Sequence, residues 1–115
     1  MARVLVVIIS YPERSDAEYI ADASVRDRLA ACAQVFGPTR STFRWRGKLK
    51  SEEEWFCHLK TTPAKYPAVE RFIKRHHPYE EPEIIAFEVK HGSTKYLRWV
   101  EGEVNMNTSK KKSKH

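Results

Sequence analysis

Six consecutive aliphatic residues, Val4 to Ile9, leave no polar face, and most are β-branched. Arg3 to Ser10 therefore reads as a strand buried in the middle of a sheet. Tyr11-Pro12-Glu13-Arg14 turns the chain, and Ser15 with Glu18 three residues later is a capping-box signature. The spacing predicts a helix from about Asp16 to about Gln34, with Ala17, Ile20, Ala21, Ser24, Val25 and Cys32 on its buried stripe. Arg28 falls inside that stripe and needs a carboxylate partner or a route to solvent.

Gly37-Pro38 breaks the pattern, and Ser41 to Trp45 then alternates with Phe43 and Trp45 on one face. Gly47 supplies a turn, and Lys48 to Lys60 returns as an antiparallel partner, making a long hairpin. Trp55, Cys57 and Leu59 point one way and Phe56 the other, so one helical layer leaves apolar bulk uncovered. Phe43, Trp45, Trp55 and Phe56 are accordingly read as an oligomer surface. Thr62-Pro63 opens a second helix whose stripe is Tyr66, Val69, Phe72, Ile73 and His76. Glu83 to Lys90 is a fourth strand, and Ser93 caps a short last helix holding Tyr96, Leu97, Trp99 and Val100. This order is an α+β, ferredoxin-like split β-α-β sandwich with an extra C-terminal helix. Right-handed crossovers put both main helices on one sheet face, and the other face calls for self-association.

The chain is expected to form one domain over residues 1–102, with residues 103–115 a basic, disordered tail. That tail, with four lysines and one glutamate, carries +3 of the formal net charge of +6. The remaining body is only mildly basic, which argues against a dominant phosphate-binding field. No apolar run is long enough to cross a membrane or act as a secretory signal, so a cytoplasmic location is expected. Cys32 and Cys57 lack metal-type spacing and suit reduced, packed thiols.

The chemically dense stretch runs from His76 through His77, Pro78, Tyr79, Glu80, Glu81, Pro82 and Glu83. Its two prolines stiffen the turn and hold the directions of its polar side chains. Imidazoles, a phenol and carboxylates at this density can ligate a divalent cation, hold an anion or form a solvated corner. Tyr79 and Glu80 either lock the turn or line a cleft with Trp45, Glu54 and Lys60, which would suit a small anionic or zwitterionic ligand. Glu54 and Lys60 can instead pair as ions across subunits.

Four blocks carry a family resemblance over Arg3 to about Val100: Arg28-Leu29-Ala30-Ala31-Cys32, Trp45-Arg46-Gly47-Lys48, Glu54 through Leu59-Lys60-Thr61, and His77 through Ile84. Together they resemble the CutA family of divalent-cation tolerance proteins. The resemblance implies a ferredoxin-like fold assembled as a homotrimer, shaped like the PII signalling proteins. It also implies copper, or another divalent cation, held by a cysteine ending the first strand and by the two histidines before the proline. His76 and His77 match those histidines, Ile9 stands where the cysteine would be, and Glu83 is a further candidate ligand. No nucleophile-base pair or phosphate loop is present, so the chain is read as a non-enzymatic binding or regulatory protein. The alternatives are a nucleic-acid-associated ferredoxin-like domain, which lacks the aromatic-rich strand it would need, and a small-ligand sensor or enzyme at a subunit cleft.

Overall fold

The computed structural model describes residues 2–105. Its elements are β1 (Leu5–Tyr11), α1 (Arg14–Arg26), β2 (Cys32–Trp45), β3 (Lys48–Thr61), α2 (Tyr66–His76), β4 (Ile84–Glu88) and α3 (Thr94–Asn105). The strands form one antiparallel sheet in the order β2-β3-β1-β4, which is the ferredoxin-like arrangement. The period-2 alternation of β1 sorts its residues between the faces. Val7, Ile9 and Tyr11 are fully buried and join Cys57 and Leu59 of β3 under Ala17 and Ile20 of α1 and Val69 and Ile73 of α2. A second, smaller core forms where Leu97, Val100 and Val104 of α3 close over Val4 and Ala31.

The opposite sheet face carries no helical layer. Pairing register places Val6, Lys60, Phe87 and Cys32 in one row across it, and Ile8, His58, Ile85 and Gln34 in the next. Ser10, Phe56 and Phe36 make a third row. Phe87 is 57% exposed and Phe36 44%. Of the four residues expected on the outward surface, Phe56 lies on this face and Phe43 and Trp45 continue it along the hairpin. Trp55 instead packs against the helix-side core, with the Arg14 guanidinium 5.5 Å from its ring centroid.

The first helix ends eight residues earlier than its apolar spacing suggests, at Arg26 rather than near Gln34. Arg28 takes a left-handed φ of 59°. Its N–H donates to the carbonyl of Val25, and the N–H of Leu29 donates to the carbonyl of Ser24. These two bonds are a Schellman closure, with arginine where glycine usually stands. Cys32 therefore begins β2 rather than ending α1, and Val25 is exposed. The expected capping box is absent: Glu13 is the N-cap without a side-chain bond, and Glu18 pairs with Arg14 at 2.8 Å.

Gly37-Pro38 interrupts β2 without ending it, as a register shift between Phe36 and Thr39. A Cβ at Gly37 would sit 2.9 Å from the Trp55 ring, so only glycine lets the two strands approach there. At the hairpin tip Arg46 and Gly47 have φ of 51° and 79° between paired Trp45 and Lys48. Two left-handed residues make the turn that matches strand twist. The last helix runs past Gly102 to Asn105, because Val104 still finds the smaller core. The rest of the expected tail lies outside the described residues.

Candidate functional site

The stiff turn after α2 folds back onto the strand ends. The N–H of Tyr79 donates to His77 Nδ1 at 3.0 Å, so the ring proton sits on Nε2, which donates to the Ser10 carbonyl at 2.7 Å. The same ring stacks on Tyr11 with centroids 4.3 Å apart. Burial pulls the His77 pKa down, against the raising effects of the Ser10 bond and of Asp16 and Glu54. A neutral imidazole with both nitrogens engaged holds the turn in place.

Two further contacts join the turn to the hairpin. Tyr79 donates its hydroxyl to Glu54 Oε2 at 2.8 Å, and Arg46 pairs with Glu80 at 2.9 Å. Glu54 is only 6% exposed. Burial first, and then the hydrogen bond to the Glu54 carboxylate, push the Tyr79 phenol upward, so it stays a donor. Between turn and hairpin lies a cleft of about 650 Å³ that includes Phe43, Trp45, Glu54, Tyr79 and Glu80 in its lining. Four of the five expected cleft residues thus meet.

Lys60 does not join them. It bonds Gln34 at 2.6 Å on the uncovered face, in the end row with Val6 and Phe87. Same-face parity with Glu54 is correct, but six residues of strand separate the two by roughly 20 Å. Its place in the cleft is taken by residues the sequence reading left unassigned, notably Lys50, Glu52 and Ser10. Glu52 carries a weak local signal in its run of three glutamates, and Ser10 carries none.

A family model described as CutA1 divalent ion tolerance protein matches residues 5–103. The chain belongs to the CutA1 divalent ion tolerance family. The divalent-cation tolerance protein CutA of Escherichia coli is 38% identical over 96 residues, covering 84% of this chain and 86% of the relative. The solved Cut A1 divalent cation tolerance protein of Thermus thermophilus matches with a TM-score of 0.85 and 35% identity, over 87% of this chain and 97% of that one. An Archaeoglobus fulgidus structure described as the periplasmic divalent cation tolerance protein CutA matches at 0.84 and 32%, over 88% and 98%.

Against the copper centre implied by the CutA resemblance, the residues present fit poorly. Ile9 is fully buried in the helix-side core and offers no donor. His77 has no free nitrogen, and His76, on the exposed end of α2, faces Phe72 and bonds its carbonyl through Nδ1 at 3.0 Å. Glu83 lines the cleft instead. Among the described residues no three His, Cys, Asp or Glu side chains converge on a metal-sized point. Among the same residues no helix is long and apolar enough to cross a membrane.

Proposed function

We propose that this CutA1-family chain is a homotrimeric, non-catalytic binding module of the cytoplasm that takes part in divalent-cation tolerance. The observation that carries the reading is the sheet face without a helical layer, where Val6, Ile8, Phe36, Phe56, Ile85 and Phe87 form apolar bulk around Lys60, His58 and Gln34. A patch of this kind marks an association surface. Three copies meeting through their sheets is what the family resemblance implies, and it would cover this face. The names of the relatives support the link to divalent cations.

A non-catalytic role is supported by how the site's titratable groups are used. His77 and Tyr79 spend their polar atoms on Ser10, the turn backbone and Glu54. Burial pushes the Cys57 thiol up to about 12, far from a reactive thiolate. Free Cys32 and Cys57 agree with a reducing compartment.

Native mass spectrometry of the full chain, with and without Cu(II) and Zn(II), tests the reading. A mass of three chains is expected. A monomer at micromolar concentration would refute the assembly, and a trimer that takes up neither ion would detach the tolerance role from direct metal binding.

A further inference from the structure

Charge is unevenly placed along the chain. The segment from Arg40 to Lys50 holds five cations and no carboxylate, whereas the other described residues hold twelve cations against fifteen carboxylates. The mild charge of the body is therefore the sum of a basic hairpin and an acidic remainder. The ion pairs among the described residues engage only Arg46 of the five, through Glu80.

This hairpin runs beyond the sheet. β1 pairs with β3 no further than Tyr11 opposite Trp55, so from Thr39 to Trp45 and from Lys48 to Glu54 the two strands pair only with each other. They make a two-stranded ribbon about 20 Å long. The bonds of Tyr79 to Glu54 and of Arg46 to Glu80 tie its cleft side to the turn after α2. Alternation from Trp55 puts Glu53, Ser51 and Leu49 on the helix-side face, with Arg40, Thr42 and Arg44 as their cross-strand partners. All six are exposed, because the core under α1 and α2 ends at Val35 and Trp55. Assembly through the opposite sheet face, which Phe43 and Trp45 continue, leaves this side open.

The chemistry of the open side selects a polyanion of a particular shape. Arg40, whose Nε donates to Ser51 Oγ at 2.8 Å, and Arg44 flank the hydroxyls of Thr42 and Ser51. Arginines and hydroxyls are regular partners of phosphate oxygens, and Glu53 is the one carboxylate on this side. Two paired strands have the width that the major groove of B-form DNA admits. A single strand would need aromatic faces to stack on, and Phe43 and Trp45 point the other way. A lipid surface would need an apolar tip, whereas the tip is Arg46-Gly47 followed by Lys48.

We propose that the hairpin is an arm for duplex DNA, seated along the major groove with Arg40, Arg44 and Lys48 on the flanking phosphates and no base sequence preferred. The inference goes beyond the tolerance role and needs neither a bound cation nor the trimer.

Fluorescence anisotropy of the full chain with a labelled DNA duplex of about 20 base pairs, read at several salt concentrations, tests it. The lysine-rich tail attracts any nucleic acid, so the test rests on variants that keep it. Arg40→Gln combined with Arg44→Gln should weaken binding about tenfold and lower the salt slope by about two. Arg71→Gln combined with Arg75→Gln makes the same charge change at exposed positions of α2 and should alter both readouts little. Lys48→Gln should weaken binding severalfold and supplies a second reading if the Arg40 and Arg44 variant unfolds. Absence of binding, equal losses in the two double variants, equal affinity for a single strand of the same length, or capture by phosphatidylserine vesicles without capture by duplex would each overturn the proposal.

Discussion

His77 and Ser10 meet at 2.7 Å across 67 residues of chain, imidazole N–H to backbone carbonyl. Ser10 is buried, and the bond fastens the turn after α2 to the end of β1. With Tyr11 beneath the ring and the Tyr79 N–H on its other nitrogen, His77 is the hub on which the cleft's far wall hangs.

Replacing His77 should therefore cost stability rather than metal affinity alone. His77→Ala leaves a buried carbonyl unsatisfied and removes a ring stack, a loss of about 2–3 kcal/mol. His76→Ala, at the exposed helix end, should stay within about 0.5 kcal/mol. Urea unfolding at one fixed protein concentration compares them, and equal losses would show that the two histidines are not divided in this way.

The lowered pKa of His77 makes stability depend on pH with a definite sign. Burial disfavours the charged ring, so between the native pKa and the unfolded value of about 6.5 the unfolded chain binds more protons. This contribution is complete above about pH 6.5 and is lost as pH falls from there through the native pKa. His58, lowered by burial and by Lys60, acts in the same direction. The urea midpoint should drop between pH 7.5 and pH 5.5, and His77→Gln should flatten that drop. An unchanged slope in the variant would assign it to other groups.

Tyr79 and Glu54 should behave as a coupled pair. Tyr79→Phe strips the Glu54 carboxylate of its described donor, a loss of about 1–3 kcal/mol. In the Glu54→Ala background the same change should cost little. A double-mutant cycle with no coupling energy would mean that the 2.8 Å contact holds nothing.

Much of this was readable from residue order. The hairpin, the apolar stripe of the second helix, the Ser93 cap and the stiff turn follow from alternation, helical spacing and two prolines, but that helix begins at Tyr66, after a turn over 63–65, rather than at Thr62-Pro63. Glu54, Tyr79, Glu80 and Trp45 lie together around one cleft because the turn after α2 is tied to the hairpin by the Tyr79–Glu54 and Arg46–Glu80 contacts. Lys60 was misplaced because side-chain parity fixes a face and says nothing of distance along a strand. The end of α1 was hidden for a different reason: the residue that closes it is Arg28, and the usual glycine signal is missing. Ser10 acts through its carbonyl, which no side-chain pattern announces.

The uncovered face makes a prediction about assembly. Phe56→Asp puts a charge in the row of Ser10 and Phe36, where the helix-side core is untouched. Association should weaken by at least about thirtyfold while far-ultraviolet circular dichroism is preserved. Sedimentation across a dilution series reads the first and spectroscopy the second. A variant that remains fully associated would place the interface elsewhere.

Arg28 closes α1 and also anchors α3. Its Nη1 donates at 2.8 Å to both the backbone carbonyl and the Oε1 of Glu103, and the side chain is 14% exposed. A left-handed arginine is strained by roughly 1–2 kcal/mol, so the conformation persists because the bonds to α3 offset that strain. The two effects separate by substitution. Arg28→Gly relieves the backbone and loses the anchor, while Arg28→Ala loses the anchor and keeps the strain. Alanine should therefore be the more destabilising by about 1 kcal/mol. Both variants should speed amide hydrogen exchange in α3 while leaving α2 unchanged, because α2 packs in the other core. Faster exchange spread evenly over both helices would mean that Arg28 supports the whole fold rather than the seating of its last helix.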